Sequence, residues 1–463
     1  MTTPGPEERT RPNPLAQDAP TGRITAGPDA PTRPTKGAAV SPTRRLGRAV
    51  RGALADTRPL RTPAYRRLWL AGMITVIGAQ LSVVAVPAQI YELTGSSAYV
   101  GLTGLFGLVP LIVFGLWGGA IADAVDRRVL LLVTGTGIAL SSLALWVTAA
   151  AGVGNVWAVL TLFAVQTAFL SVNQPTRNAV IPRLVPIEQL PAANALNMIV
   201  FQAGAIAGPL LAGVLIPVVG LSTLYLLDAI ALLATLWATW RLPSVPPESG
   251  VRRRAGLREV AEGFRYAALH KVLLVSFLID VVAMAFGMPR VVFPEIAQEV
   301  YGDPPGGGFA MGLLFAAIPA GMVIAGLLSG WLNRVQHQGV AITVAICTWG
   351  LGVALFGLTG SLWLAVLFLA VAGAADTVSA VYRMSILQTV ATDEMRGRMQ
   401  GVFLVVVAGG PRVADLWHGT AAAGIGPGAA SSVGGFAVIV FAIAVVVAFP
   451  AFWRYKAPVA PSA

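Results

Sequence analysis

The feature that most constrains this chain is a succession of twelve apolar runs, each about twenty residues or longer. A helix needs roughly 20 apolar residues to cross the hydrocarbon core of a bilayer, whereas the strands of a membrane barrel are short and alternate in polarity. Because these runs are continuous, the sequence predicts an all-α membrane protein with twelve transmembrane helices. The predicted spans are residues 68–91, 98–123, 129–151, 156–176, 192–219, 221–240, 271–297, 308–332, 339–359, 362–387, 400–423 and 431–453.

The basic charge of the chain is concentrated before the first span. Only 11% of the 463 residues are charged, against about a quarter in an average soluble domain, so a fully water-facing surface is excluded. Of the 32 lysines and arginines, 13 precede Leu68, in a segment rich in Pro, Thr and Gly. We expect residues 1–62 to form a disordered, basic cytoplasmic tail that faces anionic lipid. The tail lacks interleaved aromatic residues for base stacking, so no nucleic-acid partner is predicted.

The distribution of basic residues between the loops predicts the orientation of the spans. Loops after odd-numbered spans contain no Lys or Arg, whereas each loop after an even-numbered span is basic. By the positive-inside rule, both termini lie in the cytoplasm of a multi-pass protein of the inner (cell) membrane. The longest internal loop, 241–270, includes a predicted surface helix at Leu257–Leu269. It divides the chain into a six-helix bundle at 63–240 and a second at 271–455, followed by a short cytoplasmic tail at 456–463.

A charged motif follows the second span. It reads Gly119-Ala-Ile-Ala-Asp123-Ala-Val-Asp126-Arg127-Arg128. Gly119 permits close helix packing, and Asp123 stands at a helix end, where it can pair with an arginine or with a helix N-terminus. These properties suit a conformational latch that forms in one state and breaks in another. A simple basic anchor at the cytoplasmic surface explains the same residues.

A second motif lies in the fifth span and combines glycine with proline. It reads Gly204-Ala-Ile-Ala-Gly208-Pro209-Leu-Leu-Ala-Gly213. Small residues four apart permit tight helix packing, and Pro209 frees a backbone carbonyl and kinks the helix. Ordinary packing around a kinked helix is therefore one interpretation of the motif.

These motifs carry a resemblance to a known group of transporters. The stretch Gly119–Arg128 resembles the Gly-x-x-x-Asp-x-x-Gly-Arg-Arg signature of the major facilitator superfamily, with Asp126 where the signature prefers glycine. The stretch Gly204–Gly213 is similar to the glycine-proline signature of exporters in that superfamily. Ala85–Ile90 and Ala316–Gly321 look like parts of the enterobactin exporter family. The resemblance implies two six-helix bundles around a central cavity, and export of a siderophore such as enterobactin.

Ionisable residues inside the predicted spans are candidates for function, because each costs roughly 2.5–3.5 kcal/mol at the centre of a bilayer on insertion scales. In the superfamily that the chain resembles, spans seven and ten line the cavity, which implies proton coupling at Asp280 and Asp376. Structural pairing of Arg412 with Asp415, and of Asp376 with Arg383, is the alternative. The proton-coupling candidates are Asp280, Asp376 and Asp415, and the remaining ionisable residues of the spans are Asp228, Arg290, Arg383, Arg412 and His418.

Other polar residues on the same spans are candidates for substrate contact. Arg290 is expected to meet an anionic group of the substrate. The uncharged candidates are as easily explained as hydrogen-bonded contacts between helices. The predicted cavity residues are Gln80, Gln89, Asn173, Arg290 and Arg383.

Several function classes lack their motifs. The sequence has no Gly-x-x-x-x-Gly-Lys-Ser/Thr loop, its three histidines are dispersed and it has one cysteine, Cys347. No phosphate-binding loop, metal site or cofactor is therefore predicted, and the chain is not expected to be an enzyme. We expect a monomeric secondary transporter whose partners are a small-molecule substrate, protons and the lipid bilayer, and which exports a siderophore-like molecule by proton antiport. The alternatives are multidrug or macrolide efflux, uptake of a small metabolite, a transporter-like receptor and an intramembrane enzyme.

Overall fold

A computed structural model of the protein describes residues 56–246 and 257–456. The predicted tails at 1–62 and 456–463, and the centre of the predicted loop at 241–270, lie largely outside these ranges. Some side chains within the ranges also lie outside the described residues, namely those at 116–120, 122–124, 257–261, 264, 333, 393–394, 396–398 and 400–406.

Within these ranges the chain forms fifteen α-helices, α1–α15. The long apolar runs become helices because a helix satisfies its own backbone hydrogen bonds where no water is available. Their bounds are α1 Pro63–Thr94, α2 Ser97–Ala124, α3 Arg127–Ala150, α4 Val156–Leu184, α5 Leu190–Val219, α6 Leu221–Trp240, α7 Leu257–Leu269, α8 Lys271–Phe286, α9 Phe293–Glu299, α10 Phe309–Leu327, α11 Gln338–Leu358, α12 Leu362–Val390, α13 Asp393–Ile425, α14 Pro427–Ala448 and α15 Pro450–Trp453.

Eleven segments in the described part of the chain are long and apolar enough to cross a membrane. One of them, Lys271–Glu299, combines α8 and α9. The remaining predicted span corresponds to α13, a helix of 33 residues, in which Arg412, Asp415 and His418 lower the apolar character. All twelve predicted spans therefore form helices, and the predicted all-α fold is confirmed. The surface helix α7 has the predicted bounds and packs against α13 and α8.

The helices form two bundles, α1–α6 and α8–α14. In the first, α1 packs on α5 and α6, and α4 packs on α2 and α3. In the second, α11 packs on α12 and α14, α10 packs on α12, and α13 packs on α8. The bundles meet along two extensive helix pairs, α2 with α13 and α5 with α10. A space between the bundles is therefore bordered by helices of both.

Glycines allow α2 and α13 to approach closely. A β-carbon on Gly101 would lie 2.8 Å from the carbonyl oxygen of Asp415 and 2.9 Å from Cα of Gly419. A β-carbon on Gly104 would lie 2.9 Å from Cβ of Asp415. Real β-carbons do not come so near, so a larger residue at either position would push the helices apart. Small residues are the usual means of tight helix packing in membranes.

Candidate functional site

A partly open pocket lies between the two bundles, and its empty volume of about 420 Å³ includes space continuous with solvent. Both bundles contribute to its wall, through α1, α2 and α4 on one side and through α10, α13 and the turn before α9 on the other. Most of the lining residues are apolar, and three charged residues lie together in one part of the wall. The lining residues are Val83, Val86, Pro87, Thr103, Phe163, Arg290, Val291, Phe315, Arg412 and Asp415.

The charged part of the wall contains two arginines and one aspartate. Arg290 donates from Nε to Oδ1 of Asp415 over 2.8 Å and from Nη2 to Oδ2 over 2.6 Å. Arg412 also approaches this carboxylate, with 3.8 Å between its Nη1 and Oδ2 of Asp415. The Asp415 side chain is 1% exposed, whereas those of Arg290 and Arg412 are 27% and 22% exposed. The three residues together carry one excess positive charge.

This geometry changes the pairing expected from the sequence. The alternative explanation paired Arg412 with Asp415 within one helix. That contact exists, but the bidentate partner of Asp415 is Arg290, which lies 125 residues away in the chain. Nothing in the local sequence shows this pairing, because it depends on how the seventh and eleventh spans pack.

Arg412 is held against the first bundle by two further contacts. Its guanidinium lies over the ring of Phe163, with 5.3 Å between Cζ and the ring centroid. It also lies against the backbone of α2, because a β-carbon on Gly107 would be 2.8 Å from Cζ of Arg412. The planar cation is therefore placed between an aromatic face and a glycine, with part of its surface open to the pocket.

A second charged cluster lies within the second bundle. Arg383 of α12 pairs with Asp280 of α8, and its Nη2 lies 3.5 Å from Oδ1 of Asp376. All three side chains are buried or nearly so, at 4%, 1% and 15% exposure for Arg383, Asp280 and Asp376. The seven-residue spacing of Asp376 and Arg383 places them on one helix face, as the pattern suggests. Arg383, expected in the substrate cavity, instead bridges two of the proton-coupling candidates.

The seventh span is broken between these clusters. It was predicted as one helix over 271–297, but α8 ends at Phe286 and α9 begins at Phe293. Gly287 is the C-cap of α8, and Pro289 follows two residues later, so the chain cannot continue the same helix. The carbonyl oxygen of Phe286 accepts a hydrogen bond from Nε2 of His418 over 3.0 Å. A side chain of α13 thus satisfies the backbone group that the break exposes.

The uncharged cavity candidates make contacts between helices. Gln89 is buried, and its Oε1 accepts a hydrogen bond from the hydroxyl of Tyr225 over 2.8 Å. Asn173 donates from Nδ2 to Oγ1 of Thr134 over 2.7 Å. Gln80 lies on α1 beside Gly208 of α5. For these residues the structure gives the interhelical hydrogen bonding or packing that the sequence left as an alternative.

The end of the charged motif is tied to the segment after α6. Asp126 is the N-cap of α3, and its Oδ1 accepts hydrogen bonds from the backbone N–H of Arg128 over 2.8 Å and of Val245 over 3.3 Å. Its other oxygen accepts a hydrogen bond from the hydroxyl of Ser244. Desolvation by burial acts the other way, but these hydrogen bonds hold the pKa of Asp126 below its ordinary value. The φ of Asp126 is −55°, which needs no glycine, so an aspartate fits this position of the signature.

The rest of the motif is only partly described. Arg128 donates from Nη2 to the carbonyl oxygen of Trp240 over 2.6 Å, and Arg127 donates from Nη1 to that of Ala179 over 3.4 Å. Gly119 and Asp123 lie near the C-terminal end of α2, where the side chains are outside the described residues. The latch therefore stays a prediction.

The glycine-proline motif packs α5 against helices of both bundles. Gly204 and Gly208 face Val76 and Gln80 of α1. Gly213 faces α10 of the other bundle, where its β-carbon would lie 2.7 Å from the carbonyl oxygen of Gly308.

The reverse contact is equally close. A β-carbon on Gly312 of α10 would lie 2.7 Å from the carbonyl oxygen of Pro209. The motif therefore forms part of the second contact between bundles, α5 with α10, which complements the glycine contact of α2 with α13. A role in transport direction stays a prediction.

Two further clusters were not predicted. The Oδ2 atom of Asp228, which is 1% exposed, accepts hydrogen bonds from Ser82 over 2.7 Å and from Ser142 over 2.8 Å. Ser142 in turn accepts a hydrogen bond from Nε2 of Gln166 over 2.8 Å. This network joins four helices of the first bundle. Isolated serines in apolar runs form no sequence pattern, which is why it was missed.

The other cluster joins the two bundles at the end of α1. The hydroxyl of Tyr91 donates to Oε1 of Glu299 over 2.7 Å, and the hydroxyl of Ser97 donates to Oε2 of Glu295. The two glutamates lie one turn apart on α9, which faces the first bundle here. The only sequence signal was a pair of acids at the edge of the seventh span. Among the described residues, no group of three or more His, Cys, Asp or Glu side chains is placed to hold a metal ion.

Comparison with known proteins shows which family of membrane proteins this chain matches. The family model described as transmembrane secretion effector matches residues 54–459. The enterobactin exporter EntS of Citrobacter koseri is 30% identical over 407 residues, covering 86% of this chain and 94% of the exporter. The same exporter from Shigella boydii is 29% identical, with 85% and 94% covered.

Solved structures share the fold at low sequence identity. A mutant of the nucleoside transporter NupG superposes with a TM-score of 0.71 at 13% identity, covering 83% of this chain and all of the transporter. A bacterial homologue of the human lysosomal transporter Spinster, in an inward-facing conformation, gives a TM-score of 0.63 at 16% identity, with 86% and 97% covered. At such identities these likenesses concern the fold alone.

Proposed function

Because this chain belongs to the transmembrane secretion effector family, a group of major facilitator transporters, we propose that it exports a small amphipathic molecule of the siderophore type in exchange for protons. The protein is a multi-pass inner-membrane transporter of a small molecule, and it is not an enzyme. We propose the outward direction of transport, the siderophore as substrate and the exchange for protons. We also propose that the protein is a monomer and that both of its termini lie in the cytoplasm.

The observation that carries the proposal is the pocket between the bundles. Residues of both bundles line it, so a rocking motion of one bundle against the other changes its wall and its access. A molecule held there contacts surfaces that move apart. The apolar wall suits the apolar part of such a molecule, and the arginines suit an acidic or phenolic group. Enterobactin is the substrate named for the relatives that match over most of this chain.

The cluster of Asp280, Asp376 and Arg383 supports proton coupling. Two carboxylates and one guanidinium sum to one negative charge, and an unbalanced charge in a buried site is unfavourable. Binding of one proton to either carboxylate makes the cluster neutral. A change in the surroundings of Arg383 during rocking would then change the affinity for that proton, which is the linkage that antiport needs.

Gate contacts are a further requirement of alternating access. Tyr91 and Ser97 of the first bundle bind Glu299 and Glu295 of the second. In the predicted topology these residues lie on the extracytoplasmic side. We propose that their hydrogen bonds close that side in the state described here and break when the transporter opens outward.

One specific observation favours a second candidate function. Six of the residues that line the pocket are apolar and include two phenylalanine rings, Phe163 and Phe315. A wall of this kind also accepts drug-like molecules with little regard to hydrogen bonding. Multidrug or macrolide efflux is therefore the alternative.

The deciding experiment is transport by the full chain in proteoliposomes with an imposed pH gradient. Enterobactin and an unrelated macrolide are tested in parallel. Gradient-dependent movement of enterobactin alone supports the proposal, and movement of the macrolide, alone or with enterobactin, supports the alternative. If neither compound moves with the gradient, the exporter proposal for these substrates is wrong.

A further inference from the structure

The pocket contains one more positive charge than negative charge. Its ionisable lining residues are Arg290, Arg412 and Asp415. The nearby His418 donates a hydrogen bond from Nε2 to the backbone carbonyl of Phe286 over 3.0 Å. In an apolar wall between membrane helices, one excess charge is unfavourable unless an opposite charge compensates it.

The two arginines are not equivalent. Arg290 uses Nε and Nη2 on the two oxygens of Asp415, at 2.8 Å and 2.6 Å. That bidentate geometry satisfies both the carboxylate and one edge of the guanidinium. Arg412 reaches the same carboxylate at 3.8 Å only, beyond the distance of a hydrogen bond. Among the described residues, Asp415 is the one carboxylate that pairs with Arg412, and Arg290 already engages it.

Arg412 is also oriented for a ligand. Phe163 and the backbone at Gly107 confine its guanidinium, while its side chain remains 22% exposed. A confined guanidinium presents parallel N–H donors, which match the two oxygens of a carboxylate or the adjacent oxygens of a deprotonated catechol-like group. The neighbouring apolar side chains suit a flat apolar body attached to that group.

We infer that Arg412, which lies over the ring of Phe163, is the anion-binding group of the pocket, and that the transported molecule carries one negative charge on a planar, largely apolar body. The Arg290–Asp415 pair is a neutral, internally satisfied part of the wall. This inference rests on the proposed function, because it names the class of molecule that the same pocket takes. It assigns to Arg412 the contact that the sequence suggested for Arg290.

The test is a binding measurement that uses neither a pH gradient nor a siderophore. Naphthoate and naphthamide have the same shape and differ by one negative charge. Their affinities for the purified full-length protein in detergent are measured by isothermal titration calorimetry. One charge-assisted bidentate contact predicts that naphthoate binds at least about tenfold more tightly than naphthamide. Equal affinity of the two probes overturns the inference.

Three variants locate the charge that is responsible. Arg412→Gln is expected to remove the preference for naphthoate over naphthamide, whereas Arg412→Lys should keep part of the preference. Arg454→Gln lowers the net charge of the protein by the same amount at an exposed position outside the pocket, so it should keep the full preference. A full preference in Arg412→Gln, or its loss in Arg454→Gln, contradicts the inference.

A further substitution is expected to increase the preference for naphthoate. Because a misfolded protein would lose this preference, an increase cannot result from misfolding. Asp415→Asn frees Arg290 and leaves two uncompensated cations, so the preference for naphthoate should increase, by about tenfold if a second bidentate contact forms. A decrease overturns the inference. Failure of enterobactin export with an Arg412-dependent preference would refute the exporter proposal alone. Intact export with a preference independent of Arg412 would refute this inference alone.

Discussion

Arg383 and Asp280 form a buried ion pair between α12 and α8, with 4% and 1% of their side chains exposed. Asp376 shares the same guanidinium at 3.5 Å. A surface pair of this kind would contribute little, but a buried one is strongly coupled to its surroundings. This cluster therefore gives predictions for both transport and stability.

The first prediction concerns proton coupling. Asp376→Asn is expected to abolish pH-gradient-driven transport while membrane insertion is unchanged, because the cluster becomes neutral without binding a proton. Transport in proteoliposomes, with and without the gradient, measures the effect. Glu188→Gln removes an exposed acid between α4 and α5 and serves as the control. Normal pH coupling in Asp376→Asn would remove this residue from the proposal.

The second prediction concerns the stability of the same cluster. Arg383→Gln leaves two buried carboxylates without their cation, and we expect a loss of about 3–5 kcal/mol in the free energy of unfolding. Thermal unfolding in detergent measures the loss. Adding Asp280→Asn to this variant should restore a large part of it, since the two residues interact directly. Equal losses in the single and double variants would argue against the pairing.

The third prediction concerns the space that Gly107 leaves for Arg412. Gly107→Ala places a methyl group 2.8 Å from Cζ of Arg412, so the guanidinium must move from its place over Phe163. Transport is expected to fall several-fold with little change in thermal stability, because a flexible side chain moves rather than a helix. Gly115→Ala, in the same helix with nothing within 4 Å, is the matched control. Similar transport by both variants would show that the position of Arg412 is unimportant.

The fourth prediction concerns the contact between the bundles at α9. The double variant Tyr91→Phe and Ser97→Ala removes two hydrogen bonds to carboxylates, each worth about 1.5–3 kcal/mol, and should shift the population toward the outward-open state. A cysteine at Thr103, which is buried and lines the pocket, reports this shift through labelling by an impermeant maleimide. Replacing the single native cysteine, Cys347, gives a clean background. Unchanged labelling would mean that these hydrogen bonds do not hold the gate.

The fifth prediction concerns Asp126. Asp126→Gly restores the residue that the superfamily signature prefers, yet we expect it to destabilise the protein. Loss of the N-cap of α3 to glycine costs about a few tenths of a kcal/mol, and loss of the hydrogen bonds from Ser244 and Val245 adds about 0.5–1.5 kcal/mol each. The pKa of Asp126 is lowered from 3.8 in the folded protein, so its contribution is full above that value and is lost as the pH falls through the lowered pKa. Thermal unfolding of the wild-type and Asp126→Gly proteins, from neutral pH to below the lowered pKa, measures the difference in stability between them. A more stable glycine variant at neutral pH would contradict the capping role.

The sequence was sufficient for the helices because an apolar run long enough to cross a bilayer has few other ways to fold. It also indicated the acids and arginines that matter, since a charge inside such a run is conspicuous. The pairing of Asp376 with Arg383 followed from their spacing on one helix. The break in the seventh span had a local signal in Gly287 and Pro289, which the apolar character of the run concealed.

The partners between distant helices were beyond the sequence. Arg290 with Asp415, Asp280 with Arg383 and Tyr91 with Glu299 each join helices far apart in the chain. Such pairings depend on which helix faces are in contact, and helical periodicity does not fix that when a span is apolar on all sides. The sequence therefore identifies the charged residues of the site, whereas their pairing depends on how the two bundles pack.

The break after α8 has a mechanical consequence. Arg290, which pairs with Asp415 in the pocket, and the two glutamates that bind the first bundle are all carried by the short stretch Arg290–Glu299. Because these residues form one continuous segment after the break at Gly287–Pro289, a part of the pocket wall and the outer contact belong to the same piece of chain. A molecule that displaces Arg290 therefore acts on the same segment that holds Glu295 and Glu299 against the first bundle, which links the centre of the protein to its outer contact.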